Sequence, residues 1–371
     1  MSNEFRATLH LKFMGRHLMM LPPTYQSHDP NKMAIIYYSL CGIAATDKTQ
    51  IETKYSKSRE FILAHHKTIE LKDDQKICTI SGFIGTLTLD FQDNKVITIN
   101  LSNTLFALLS LRILGETSFF ENSKHKRHIG NLVKNCQLPD GSFVSSLDID
   151  NGFKPSPVDS KDLRYTYMAI SILYLMGSRS KQDFNEFIDV DLAVKNILNH
   201  QTLLGAFGEY NEPHAGYTSC ALSALYLLNR SLNVLSESFK SKTISWLVFR
   251  QLSNEGCSKF QIDSNPSFDE ADNGGFQGRP NKFADTCYAF WCMNSLKLLT
   301  DDWKNLIDTS AVLNYLLKTT QNTLIGGFSK NDDDDPDIYH TCLGIAALKL
   351  LDGSFDGSLC IPKYVSDTMV L

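Results

Sequence analysis

The sequence has no CxxC pair. Its nine cysteines are an odd number, scattered at positions 41, 78, 136, 220, 257, 287, 292, 342 and 360. That pattern argues against a disulfide scaffold and fits a reduced intracellular protein. An excess of positive charge is also missing. With 36 basic against 41 acidic residues the formal charge is -5, which argues against a general phosphate-backbone binder and so against nucleic acid as a partner. Long apolar runs are absent as well. None approaches the roughly 18 to 20 residues that span a bilayer, and Glu4, Arg6, His10, Lys12, Arg16 and His17 interrupt the first segment, leaving no signal-peptide core. The expectation is a cytoplasmic protein with no stable membrane insertion.

Apolar material is plentiful. Hydrophobic residues make up 43% of the chain and charged residues 21%, enough for a large core and too much for a disordered chain. At about 150 residues per domain, 371 residues suggest two or three domains. Internal repetition overrides that count. A turn mark recurs as Gln137-Leu-Pro-Asp-Gly141-Ser-Phe143, Gln201-Thr-Leu-Leu-Gly205-Ala-Phe207, Asn273-Gly-Gly-Phe276 and Gln321 to Gly327-Phe328. After each comes an apolar helical segment: those beginning at Arg164, Tyr217, Asp285 and Tyr339, with a fifth at Asn103 that has no clear mark. Small residues early in most of these segments suit an inner layer of closely packed helices. More polar periodic segments, Val190 to Asn199, Ser236 to Gln251 and Trp303 to Thr320, read as outer helices. At each mark Gly supplies a helix stop and Phe plugs the next layer. Repeated hairpins of this kind predict an all-α solenoid or closed ring of about five or six pairs. Phe5 to Thr46 reads as an opening helical hairpin broken at Pro22-Pro23 and Pro30. Leu71 to Asn100 reads as loop or short strand, and Leu147 to Ser160 as a polar surface loop.

Several side chains suggest chemistry. Asp285 and Cys287 are two apart, so they can share an ion only at a helix N-terminus, where the backbone is not yet locked. An N-capping Asp followed by a buried Cys is the plain alternative, and the pair alone leaves both open. His340 occupies the equivalent start of the next inner segment. If adjacent inner helices present their first turns to one cavity, carboxylate, thiolate and imidazole converge, a set that suits zinc with a fourth position open. His214, Arg279, Lys282 and Tyr288 fall at the same end, where cations and hydrogen-bond donors would hold a diphosphate and stabilise it as it leaves. Singly, each is more readily a surface side chain, and only the shared location raises them. Tyr37, Tyr38, Tyr165, Tyr167, Tyr217, Phe290 and Trp291 would line a pocket for a long apolar ligand, or form ordinary core.

The segments GGFQGRPNKFADTCYAFW, DIYHTCLGIAALKLL and PHAGYTSCALSAL resemble the signature segments of protein prenyltransferase β subunits, and the similarity in order runs over nearly the whole chain. The resemblance implies an all-α, α/α toroid occupying residues 1–371 as a single domain. It further implies an obligate helical-repeat α subunit, a catalytic Zn²⁺, and transfer of an isoprenoid from its diphosphate to a C-terminal CaaX cysteine. By position, Asp285, Cys287 and His340 match the zinc ligands, and His214, Arg279, Lys282 and Tyr288 the diphosphate site. Ala34, Tyr38, Arg164, Tyr167, Tyr217 and Trp291 are assigned to the isoprenoid. Asn100, Ser102, Arg164 and Tyr165 are assigned to the peptide. Lys330, ten residues before the zinc histidine, stands where the farnesyl and Rab branches resemble each other in placing an aspartate. Lysine can neutralise diphosphate charge without a bridging Mg²⁺, so Mg²⁺ is not expected to be required. Ala34 stands where the farnesyl branch has a tryptophan, leaving room for a fourth isoprene. Both signs resemble the type I geranylgeranyl branch, whose substrates are geranylgeranyl diphosphate and CaaX proteins ending in Leu, such as small GTPases of the Rho type. The farnesyl and Rab branches are the alternatives within the family. Asp333-Asp334-Asp335-Pro336-Asp337 also satisfies DDxxD, the signature of a Mg²⁺-dependent terpene cyclase on a similar ring, although Asp332 to Asp335 reads more simply as a solvated loop.

Overall fold

The periodic segments form helices stacked in outer and inner pairs in the computed structural model, which describes residues 4–73, 76–87, 99–148, 154–155, 159–253 and 269–369. The outer helices are α1 (Ala7–Met19), α4 (Ser123–Cys136), α6 (Val190–Asn199), α8 (Glu237–Val248) and α10 (Thr309–Asn314), the last continued by a π-turn over Tyr315–Thr320. Two short helices, Lys48–Lys54 and Ser56–Ala64, take the outer place in the second pair. The inner helices are α2 (Lys32–Thr46), α3 (Leu101–Ile113), α5 (Leu163–Leu175), α7 (Ala215–Asn229), α9 (Thr286–Leu299) and α11 (Ile338–Leu351). Each inner helix packs on the next, and α11 packs on α2, so the six close into a ring. Helices apolar on most of their circumference are stable only when enclosed, as these are between their neighbours and the outer layer. The segment expected as the second arm of an opening hairpin is thus the sixth ring member. Gly42 lets it approach α1: a Cβ there would fall 2.3 Å from Met14 Sδ.

The recurrent mark is the joint between repeats. Gln137 pairs across the turn with Phe143, Gln201 with Phe207, Gln251 with Phe276 and Gln321 with Phe328, and all four phenylalanines are fully buried. At three of these joints the glutamine side chain then reaches an outer helix of another repeat. Gln137 Nε2 donates to the Asp189 carbonyl at 2.9 Å, while the Asp189 N–H donates to Gln137 Oε1 at 2.7 Å. Gln251 makes the same pair of bonds to Asp308, at 2.8 and 2.9 Å. Asp189 and Asp308 are the N-caps of α6 and α10, so the clamp fixes where each outer helix starts. Gln321 instead reaches the first outer helix, α1: its Oε1 accepts from Arg6 N–H and from His10 Nε2, both at 2.9 Å. The glycines make room for this docking. Gly141 has φ 86° and a Cβ there would lie 2.1 Å from the Leu192 carbonyl oxygen; Gly326, with φ 82°, meets the Leu9 carbonyl oxygen at 2.4 Å.

Strands β1 (His66–Asp73) and β2 (Lys76–Phe83) form an antiparallel hairpin with Ile69 opposite Ile80. This resolves the first part of the segment expected as loop or short strand; residues 88–98 lie outside the described residues. So do Cys257 and most of the polar run from Leu147 to Ser160. After α11 a short antiparallel ribbon pairs Phe355–Asp356 (β3) with Ile361–Pro362 (β4), and it packs against α2 and α11. Among the described residues no helix is long and apolar enough to cross a membrane.

Candidate functional site

Ring helices point their N-termini the same way, and most of them begin with a capping side chain that is also a site residue. Asn100 caps α3 through Asn103 N–H, and Asp162 caps α5 through Arg164 N–H. His214 caps α7, Asp285 caps α9 and Asp337 caps α11. Caps satisfy the orphan amides of a first turn, so one end of the ring collects polar side chains over an otherwise apolar interior. Adjacent repeats are stitched together there: Ala215 N–H donates to the Gly278 carbonyl at 2.9 Å, and Thr286 N–H to the Lys330 carbonyl at 2.8 Å.

Asp285, Cys287 and His340 meet at this end, with one ligand atom from each all within 4.8 Å of one another. The two readings of Asp285 both hold. Its Oδ1 accepts from Cys287 N–H at 2.8 Å as a cap and lies 3.3 Å from His340 Nε2. On its other side the His340 ring is held by Asp337, whose Oδ2 is 2.5 Å from Nδ1 while its Oδ1 caps His340 N–H at 2.9 Å. Sequence reasoning did not single out Asp337 for this role, because an aspartate before a helix looks like an ordinary cap. The Asp-x-x-His spacing was the available signal.

The electrostatics describe a site short of a cation. Burial raises Asp285, but the His340 imidazole and the Cys287 amide outweigh it and hold the carboxyl below its usual range. His340 opposes its own burial through hydrogen bonds to Asp285 and then Asp337, and rises to about 9. Burial, then the Asp285 charge, pushes the Cys287 thiol up. In the metal-free chain the proton on His340 is therefore the positive charge between two carboxylates. A divalent ion would supply that charge instead and lower the thiol as well. One carboxylate, one thiolate and an imidazole fixed through its far nitrogen by a second carboxylate fit zinc with one position open.

The anion-binding candidates sit around the trio. His214 Nδ1 accepts from Gly216 N–H at 3.0 Å, so the proton of the neutral ring lies on Nε2, 3.2 Å from the Tyr288 hydroxyl oxygen. Burial, then the nearby Arg279, lowers His214 to about 4, which keeps it neutral. With its oxygen engaged by Nε2–H, the Tyr288 hydroxyl is free to donate its own proton to a ligand. Arg279 is held by Glu212 through Nη1 at 3.0 Å to both carboxylate oxygens, while Lys282 and Lys330 are exposed at the rim.

Ala34, Tyr38, Asn100, Ser102 and Tyr165 line one cleft of about 460 Å³, so the isoprenoid and peptide candidates share a space. His28, Asn31, Phe106, Ser145 and Tyr339, given no role by the sequence, complete its wall. Tyr339 Oη is 2.9 Å from His28 Nδ1, and its ring lies 5.1 Å from that of Tyr38. Arg164 is exposed and binds Asp162 through Nε and Nη2 at 2.9 and 2.7 Å. Tyr217 packs on His214, ring to ring at 4.9 Å, away from that cleft. Tyr167 donates to the Ser358 carbonyl at 3.0 Å, and Trp291 is half-buried on α9.

Comparison with known proteins matches residues 5–364 to the prenyltransferase alpha-alpha toroid domain family. A geranylgeranyl transferase type-1 subunit beta from Arabidopsis thaliana is 29% identical over 97% of this chain and 88% of its own length. The protein of the same description from Dictyostelium discoideum is 30% identical over 91% and 88%. A protein farnesyltransferase subunit beta from Schizosaccharomyces pombe is 26% identical over 94% and 79%. Among solved structures, Candida albicans protein geranylgeranyltransferase-I complexed with GGPP superposes with a TM-score of 0.84 at 31% identity, covering 99% of this chain and 98% of that one.

Proposed function

This chain belongs to the prenyltransferase alpha-alpha toroid family, and from that premise we propose that it is the catalytic β subunit of a heterodimeric protein geranylgeranyltransferase type I. It acts with a helical-repeat α subunit in the cytoplasm. Its substrates are geranylgeranyl diphosphate and proteins ending in CaaX with Leu last, such as small GTPases of the Rho type. The observation that carries the reading is the gathering of Asp285, Cys287 and His340 within 4.8 Å at a rim flanked by His214, Tyr288, Arg279 and Lys282.

Asp285, Cys287 and His340 would hold the zinc, with Asp337 fixing the imidazole. Zinc bound there lowers the pKa of an acceptor thiol, so that it is a thiolate at neutral pH. The chain's own groups do the rest. His214 donates through Nε2–H to Tyr288, which leaves the Tyr288 proton to hydrogen-bond the departing diphosphate. Arg279 and Lys282 bring positive charge to the same oxygens, where stabilisation of developing charge lowers the barrier. Lys330 supplies a further cation in place of a bridging Mg²⁺. Ala34 keeps the cleft beside Tyr38 wide enough for a fourth isoprene, with Tyr167, Tyr217 and Trp291, outside that cleft, as apolar wall for the rest of the chain. Asn100, Ser102, Tyr165 and Arg164 receive the peptide.

The test uses the co-expressed α/β heterodimer. Stoichiometric zinc and transfer of geranylgeranyl to a CaaL peptide without added Mg²⁺ are expected. A zinc-free active enzyme would refute the proposed centre. Preference for farnesyl diphosphate and a CaaS peptide would move the chain to the farnesyl branch. Release of a hydrocarbon with no peptide acceptor would mark a cyclase.

A further inference from the structure

A carboxylate, Glu212, sits among the cations of the rim. It lies in a tight hairpin in which Gly208–Glu209 pairs with Glu212–Pro213, and the two residues between, Tyr210 and Asn211, have φ 50° and 63°. Left-handed backbone at both turn positions usually calls for Asn or Gly, so Tyr210 leaves the turn strained. The chain closes so tightly that a Cβ on Gly208 would fall 1.7 Å from the Glu212 carbonyl oxygen, and Asn211 Oδ1 anchors the tip by accepting from Leu203 N–H at 3.1 Å. The register sets Glu212 directly opposite Glu209, a like-charge pair that weakens a ribbon. Its ion pair with Arg279 adds little in return, since the two side chains are 60% and 38% exposed. Stability therefore does not account for a carboxylate at this position.

Glu212 fixes the head of Arg279, whose backbone is held separately. The Gly278 carbonyl accepts from Ala215 N–H, and Gly278 lies so close to Tyr288 that a Cβ would fall 2.1 Å from its ring. Both Glu212 oxygens accept from a single guanidinium nitrogen, Nη1, at 3.0 Å. Nε and Nη2 have no protein partner among the described residues, so the parallel pair of N–H donors that clamps a phosphate stays free. Burial, then Arg279, lowers His214, while burial, Cys287 and Asp285 raise the Tyr288 hydroxyl and Arg279 opposes them. The guanidinium thus acts on both members of that pair. Glu212 and His214 are two apart on one extended segment, so the hairpin delivers His214 to Tyr288 and Glu212 to Arg279 together.

We propose that Glu212 is a positioning residue for the transfer step: it holds Arg279 by Nη1 so that Nε and Nη2 meet the diphosphate oxygens as a preformed pair. The inference rests on the proposed function, which assigns Arg279 to the diphosphate and names nothing that orients it. An untethered arginine gives up its rotamer freedom when the ligand arrives, whereas a tethered one has done so in advance. The charge of Glu212 meanwhile repels a diphosphate. Tether and charge therefore act with opposite sign, and variants can separate them.

The experiment measures single-turnover transfer of geranylgeranyl to a CaaL peptide by the heterodimer, zinc content being checked for each variant. Glu212→Ala removes charge and tether together, while Glu212→Gln removes the charge and keeps an oxygen that can accept from Nη1. Glu212→Ala should slow transfer roughly tenfold, and Glu212→Gln by no more than about threefold. Equal rates for the two variants would overturn the proposal. In an Arg279→Ala background Glu212→Ala should no longer slow transfer, whereas in a Lys282→Ala background its effect should persist. A loss of the same size in both backgrounds would also overturn it. A wild-type heterodimer that transfers no prenyl group would sink the proposed function instead, and binding of inorganic pyrophosphate then tests the tether alone. Glu212→Ala should bind pyrophosphate several-fold more weakly than Glu212→Gln, and equal affinities would refute the positioning role.

Discussion

Lowering the pH from 8 to 5 should destabilise the fold by about 2 kcal/mol through one buried side chain, His10. The ring is fully buried, stacked on Phe328 at 4.8 Å between centroids. Nδ1 accepts from Gly327 N–H at 2.9 Å, so Nε2 carries the proton and donates to Gln321. Protonating Nδ1 would set two donors against each other at that contact. Burial accordingly lowers His10 to about 4, the Gln321 bond opposing it only in part. The unfolded chain takes up this proton near pH 6.5. A depressed folded pKa means that the unfolded state binds more protons below that point, so the contribution is complete above pH 6.5 and is lost as pH falls toward 4. At pH 5 the linkage relation gives about 2 kcal/mol, and below pH 4 about 3 kcal/mol. Denaturant unfolding at several pH values checks this against His10→Gln, whose amide can accept from Gly327 and donate to Gln321. Wild type should lose about 2 kcal/mol more than the variant between pH 8 and pH 5. The comparison removes the contribution of His66, which burial also lowers to about 4. Parallel curves would refute the assignment of His10 as a buried neutral ring.

Asp337→Asn should weaken zinc affinity roughly 10–100-fold, since the amide holds His340 less firmly; competition with a chelator measures this, and unchanged affinity would leave Asp337 as a cap alone. Lys330→Asp should make transfer depend on Mg²⁺, read from a magnesium titration of the heterodimer, and an identical response to wild type would remove Lys330 from the diphosphate site. Gly141→Ala should destabilise by at least about 1–2 kcal/mol from the left-handed backbone alone, with the clash against Leu192 adding to it. A thermal or urea midpoint equal to wild type would contradict the docking described for the repeat joints.

Five of the six ring helices were legible because Leu and small residues recur with helical period, in four of them after a Gly-Phe mark. The sixth, α2, was not assigned to the ring because the breaks before it are prolines and its partner α1 ends without a glutamine clamp. Gln251 was separated from its own mark at Gly274 by a long intervening segment, so the third joint was seen only in part. Of the site, Asp285, Cys287 and His340 are close in register to their repeat boundaries, and repetition alone brought them together. Residues that act through a neighbour were hidden. Asp337 reads as a cap until its second oxygen is seen on His340, and Tyr339 and His28 are far apart in sequence yet share a wall of the cleft. Arg164 and Arg279 read as free cations, whereas Asp162 and Glu212 already hold them.

The contact between Gln321 and the first helix has a consequence for how the protein is made. His10 and Gln321 are 311 positions apart, so at about 5–20 residues per second the amino-terminal helix waits roughly 15–60 s for its partner to leave the ribosome. During that interval α2 has one neighbour in the ring instead of two, and its apolar side stays open to water. Synthesis therefore presents an unfinished arc with two sticky edges, and a truncated product ending before residue 321 keeps both of them.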